Sequence, residues 1–254
     1  MKKNIKIILI ATSLILLIAV AIVYAATNTA QEPIEASRVS EASITSSSEL
    51  LNKLNSEPTN IKTRVVYDDI QHKAIYEIEN AKYFIDMDTN NKLVGIHAKS
   101  LSTTQEASKL NKDNARAYIQ NKYQELNLPS EYELNYLEKY DDLIWQANFE
   151  KNYNGIYNKY ESVKVYFIPD TDEIVSLGVF YEAPSSEKVA IDSESAIQTA
   201  SSKNKSEIVN AELTMEKASD GTIHPTWVIT YKDNEIIYVD AESNNIIGGD
   251  TINE

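Results

Sequence analysis

Cysteine is absent from the 254 residues. That excludes disulfides, thiolate nucleophiles, Cys-ligated zinc and lipid attachment through a cysteine. Any folded part is therefore held by its core alone, which a chain of this length can supply. Glycine and proline are scarce, six of each, so most of the chain is expected in regular structure. Histidine is nearly missing as well. His72, His97 and His224 lie far apart with no local ligand partner, so a zinc site or a catalytic triad would require the fold to assemble them. The H-E-x-x-H, G-x-S-x-G, Walker-type and dinucleotide glycine motifs do not occur. Neither enzymatic activity nor a cofactor is expected.

Basic residues are outnumbered, 24 Lys and Arg against 38 Asp and Glu, for a formal charge of -14. Lys2, Lys3 and Lys6 crowd the extreme N-terminus, so the remainder is more acidic still. Such a surface repels nucleic acid and anionic headgroups, and solubility is reason enough for it.

Those lysines precede an uncharged run from Ile7 to Ala26. Twenty helical residues span about 30 Å of hydrocarbon, and basic flanks stay inside. The length favours a retained transmembrane anchor over a signal peptide, although Val23-Tyr24-Ala25 would serve as a cleavage site. Residues 1–26 are thus read as signal peptide or anchor. Either way the rest is delivered outside: on the cell membrane as a single-pass protein, or secreted if cut after Ala25. Residues 27–48, rich in Ser, Thr, Ala and Glu and without an aromatic, read as a flexible stalk.

Beyond the stalk a pattern recurs: a helix, several strands, then an acidic turn leading into a β-branched run. The turns are IDMDTNNKLVGI from Ile85, FIPDTDEIVSLGV from Phe167 and YVDAESNNIIGGD from Tyr238. Asp, Asn, Ser and Thr close such turns through nearby backbone groups, and three at comparable places indicate duplication. The expected units are 49–101, 102–184 and 185–254. Their helices are placed at Ser48–Asn55, Thr103–Leu126 and Ser193–Lys203, the second with a break near Asn111. The first unit is expected to carry strands near Thr63–Tyr67, Ala74–Glu79 and Tyr83–Asp86. The fold class is α+β, each helix packed on an antiparallel sheet, behind an N-terminal transmembrane helix.

The stretch from Ile191 to Asp250 resembles the PepSY superfamily. An alanine-bearing helix (SESAIQTA) is followed by AEL, a Trp-Val strand at Trp227, and a closing turn carrying Val239, Asp240 and Ala241. Leu110–Tyr181 resembles the looser YcdB/YcdC-type version of that unit. The resemblance implies an exported bacterial module of the kind found in propeptides of secreted metallopeptidases and at cell surfaces. It implies a fold motif rather than catalytic residues.

Three weaker signals remain. Asp86, Asp88 and Asn90 place oxygens at alternate positions as a calcium loop does. Asn91 and His97 stand where an EF-hand has its glycine and bidentate Glu, so only a looser calcium site is open. Sixteen tyrosines are present. Tyr153 and Tyr157 in the long hairpin around Asn154-Gly155 are candidate peptide- or glycan-binding residues, as is Trp145, although half-buried strands also favour Tyr and a core suits Trp. The acidic groups Asp68-Asp69, Asp141-Asp142 and Asp170, Asp172, Glu173 read as solvated turns. The expected function is that of a membrane-anchored, non-catalytic module regulating or inhibiting a secreted peptidase. The alternative is an envelope sensor or assembly factor binding peptide or wall polymer.

Overall fold

The computed structural model describes residues 38–68, 73–101 and 110–251. The apolar run at 7–26, the stalk residues before Arg38, His72, Asp69 and the start of the expected second helix lie outside them. Among the described residues no helix is long and apolar enough to cross a membrane.

The architecture is α+β. Helix α1 (Glu41–Lys53) precedes strands β1 (Lys62–Asp68), β2 (Lys73–Glu79), β3 (Tyr83–Asp88) and β4 (Leu93–Ala98). Helix α2 (Lys112–Glu125) precedes β5 (Tyr132–Lys139), β6 (Trp145–Tyr153), β7 (Ile156–Ile168) and β8 (Glu173–Tyr181). Helix α3 (Ser193–Ala200) precedes β9 (Ile208–Lys217), β10 (Ile223–Tyr231), β11 (Glu235–Asp240) and β12 (Ile246–Thr251). One helix followed by a four-strand meander therefore occurs three times.

The first helix starts well before the Ser48 expected from composition, inside the supposed stalk. Ser40 caps it, its hydroxyl accepting from the Ser43 amide at 3.0 Å. Ser43, Ser47, Leu50 and Leu54 recur at helical spacing and are all buried. Two of these four are serines, so a count of apolar residues overlooks the stripe. Small side chains are what let the helix lie close to the sheet. The expected break near Asn111 coincides with the cap of α2, the Asn111 side chain accepting from the Asn114 amide.

The units do not form three separate bodies. The first two share one eight-stranded sheet in the order β1-β2-β3-β4-β8-β7-β6-β5, whereas the third keeps its own, β12-β11-β10-β9. A core row crosses seven of the eight strands of the large sheet: Ile78, Ile85, Ile96, Leu177, Val165, Ala147 and Leu137 stand opposite one another strand by strand. With residues of α1 and α2 they belong to one continuous cluster. The boundary expected near residue 101 is thus a change of repeat inside one core.

The third unit packs α3 through Ala196 and Ala200 on Ile229, Tyr231, Ile237 and Val239. It meets the hairpin of β6 and β7 end-on, where Ile156, Met215 and Ile223 are buried beside Tyr153, Tyr160 and Leu213. Around that contact Lys159 pairs with Glu216 at 2.8 Å and Lys217 with Glu182 at 2.5 Å.

The residues of the PepSY-like motif build this unit. Trp227 Nε1 donates to the Ile191 carbonyl at 3.0 Å, tying strand to helix entry. Val239 and Ala241 are fully buried, and the Asp240 carboxylate accepts from the Glu242 and Ser243 amides, closing the turn.

Candidate functional site

The acidic turns repeat to the residue. Asn91, Asp172 and Asn244 each adopt a positive φ, at 64°, 53° and 61°. This left-handed conformation is one that short Asn and Asp side chains tolerate better than most. Three residues further on, Val94, Val175 and Ile247 are each skipped by the ladder, a bulge at the same place in every unit. Each left-handed residue also ties its turn to a helix. Asn91 Oδ1 accepts from Ser40 and Ser43, and Asn244 Oδ1 accepts from Thr199 at 2.9 Å.

In the second unit this joint carries charge. Asp172 accepts from Lys122 at 2.8 Å, from the Tyr118 hydroxyl at 2.9 Å and from the Asn55 amide at 2.6 Å. Lys122 reaches Glu125 at 3.0 Å as well. Asn55 follows α1, so the first helix is held by its own turn at one end and by the neighbouring unit's turn at the other. Burial pushes the Asp172 carboxyl up, but hydrogen bonds from Lys122 and Tyr118 outweigh it and hold the group below its ordinary 3.8. Burial, together with the bond to Asp172, raises the Tyr118 phenol far above its usual range and keeps it a donor. A cleft of about 470 Å³ opens beside the joint, lined by Asn52, Lys53, Asn121 and Glu125 together with these residues. Asp172 and Glu173 are therefore not a solvated turn: Glu173 is 2 % exposed and Asp172 half-buried. Nothing in the sequence around Asp172 marks it, because its partners come from two distant helices.

Among the described residues, helices cover one face of the large sheet and leave the other open. A row on the open face runs Arg64, Glu77, Asp86, Gly95, Gly178, Lys164, Asn148, Tyr136, one residue from each strand. Its centre is a pair of glycines, and the His97 and Phe180 side chains lie beside them. Around the row stand Phe84, Tyr166, Phe180, Tyr136 and Tyr140, the last three 43 %, 42 % and 55 % exposed respectively. Tyr140 meets Tyr166 edge-on at 5.2 Å, and Lys99 sits 4.5 Å above Phe84. The sequence pattern suggests that Tyr132, Leu134 and Tyr136 share one face. A bulge at Asn135 instead turns Tyr136 to the open side while Tyr132 is buried.

The fold brings one Asp, His and Ser together on this face. His97 Nδ1 lies 3.1 Å from Ser176 Oγ, and His97 Nε2 lies 3.6 Å from Asp86 Oδ2. The second gap is too long for a hydrogen bond. Burial pulls the imidazole below its ordinary 6.5, against the push of Glu77. Chemically the group is a hydrogen-bonded clasp across the β4–β8 seam.

The calcium candidates do not converge. Asp88 Oδ1 accepts from the Asn90 and Lys92 amides at 2.8 Å each, whereas Asp86 faces His97. Among the described residues no three acidic or histidine groups gather as a metal set. Trp145 is 4 % exposed and belongs to the core, so it offers no surface. Tyr153 is engaged by Glu161 and packs at the junction with the third unit. The Tyr157 hydroxyl donates to Glu133 of β5 at 3.1 Å. Tyr153 and Tyr160 thus sit at the junction with the third unit, and the exposed aromatics of the open sheet lie elsewhere.

No protein-family model matches the chain, and no curated protein matches it in sequence. Among solved structures it is similar to the Bacillus megaterium YpeB C-terminal domain, with a TM-score of 0.52 and 12 % sequence identity, over 85 % of this chain and 99 % of that one. At that identity the likeness is one of fold alone, an α+β arrangement of helices and antiparallel sheets.

Proposed function

We propose that the chain is an exported, non-catalytic binding module whose open sheet face takes a protein or peptide partner, a secreted peptidase in the first instance. The observation that carries this reading is the set of exposed aromatic side chains, Tyr136, Tyr140 and Phe180, on a sheet face that none of the described helices covers. Aromatic residues on an otherwise polar surface are the usual anchors of protein interfaces. The PepSY-like fold supports the partner class, because the resemblance implies modules that accompany secreted peptidases. The basic residues and apolar run at the N-terminus support export and anchoring in the membrane. The clasp of Asp86, His97 and Ser176 supplies no reacting geometry, which is why binding is preferred to catalysis.

The test is inhibition by the purified protein of the peptidases that the source organism secretes. One peptidase is expected to be inhibited saturably at micromolar protein or below. Tyr136→Ala and Phe180→Ala should each weaken that inhibition by about tenfold, as loss of an interface anchor does, with unchanged melting temperature. Absence of any inhibition or complex across the set would sink the regulator reading. Inhibition untouched by both substitutions would move the site off this face.

A further inference from the structure

The seam between the first two units obeys a symmetry that the third unit leaves unused. Counting from each left-handed turn residue, the seam pairs the fifth residue with the fifth, Ile96 opposite Leu177. It also pairs the fourth with the sixth in both directions, Gly95 opposite Gly178 and His97 opposite Ser176. Two repeats thus meet through the same strand, β4 against β8, about a local two-fold axis. Their shared bulge, one residue before the paired segment, sets the two edges in the same phase.

In the third unit the equivalent strand is β12. Its fourth, fifth and sixth residues after Asn244 are Gly248, Gly249 and Asp250, and its bulge at Ile247 stands at the same place. Yet among the described residues β12 is a terminal strand of its sheet. Gly248, Gly249 and Asp250 are exposed, whereas Gly95 and Ile96 in the equivalent edge are buried. An edge in this state presents backbone donors and acceptors to another strand. Side chains that would block a second backbone are missing at the two glycines, which is where close strand approach is tolerated.

We propose that β12 pairs antiparallel with β12 of a second copy of this chain, Gly249 opposite Gly249 and Gly248 opposite Asp250. An isologous contact is what a two-fold axis requires, and the chain already contains its template in the β4–β8 seam. The pairing joins two four-stranded sheets into one of eight, in the arrangement the first two units adopt within the chain. A second copy is the occupant that fits, because the seam joins a repeat to its like through this one strand. Asp250 is held by the Tyr238 hydroxyl at 3.0 Å on its own chain, which draws the carboxylate along its own sheet. Because both copies are acidic, association should strengthen with added salt.

The experiment uses the full-length chain in mild detergent. Since no cysteine is present, each introduced thiol is the sole one. Light scattering at tens of micromolar is expected to give twice the 28.6 kDa chain mass. Under mild oxidation G248C mixed with D250C should cross-link several-fold more than either variant alone, and T251C should stay at background. G249C should cross-link with itself, although its Cβ would come within 3.1 Å of the Ile236 carbonyl oxygen. The mixed pair avoids that strain, so it decides the register if G249C folds poorly. A monomeric mass at all concentrations overturns the proposal. So does cross-linking of equal yield at 248, 250 and 251, or a dimer whose cross-links map to another strand.

Discussion

Replacing Asp172 by alanine is expected to destabilise the eight-stranded body by about 2 kcal/mol, seen as a melting temperature lower by about 4–8 °C. Three donors, Lys122 and Tyr118 of α2 and Asn55 just after α1, would lose their acceptor at once. Lys122 would keep only Glu125, and its side chain is 6 % exposed. Removing one partner of a fully buried pair costs about 3–5 kcal/mol, and the partial exposure of Asp172 and the remaining contact to Glu125 reduce that figure. Alanine is also less at ease at a φ of 53°. Asp172→Asn keeps a side chain suited to the turn and an oxygen to accept, so it should cost roughly half as much. The pH dependence follows from the sign of the shift. The folded carboxyl sits below its ordinary 3.8, so its stabilisation is complete above that value and is lost as pH falls through the lower folded value. Melting curves between pH 5 and 2.5 should show that loss in the natural protein and a shallower one in Asp172→Asn. Parallel curves would remove the charged joint from the account of stability.

Leu177→Ala is expected to cost more, about 3–4 kcal/mol. Leu177 is fully buried and stands opposite Ile96 at the centre of the seam. A cavity there touches both repeats, and neither can close over it without moving a strand out of register. Calorimetry should then show a transition for the two-repeat body shifted downward as one unit. The third unit, whose core is built by other residues, should melt as before. Ile229→Ala should produce the converse pattern. If Leu177→Ala instead splits the first body into separate transitions, the first two repeats are independent domains, against the shared core described above.

Much of the strand pattern is legible from local signals. The turn chemistry of Asp, Asn and Thr before β-branched runs places each acidic turn correctly, and strands within a residue or two of those expected follow from alternation. Most of the third unit is readable: the helix expected at Ser193–Lys203 forms over Ser193–Ala200, and the tryptophan strand and closing turn stand where the motif places them. The first helix is harder to read, since the residues that bury it include serines whose small size matters more than their polarity. The open face is hidden by a bulge at Asn135, which reverses one tyrosine against the alternation.

By itself the sequence determined what depends on near neighbours: the α+β class, the repeating order of helix and strands, the turns, and the exclusion of cysteine chemistry. Tertiary structure alone decided which repeats share a sheet, that Asp172 rather than a histidine is the hub of a buried charge, and that β12 is an edge. Each of these rests on contacts between residues far apart in the chain. A local pattern records that a strand wants a partner, but only the packed molecule settles which strand that partner is.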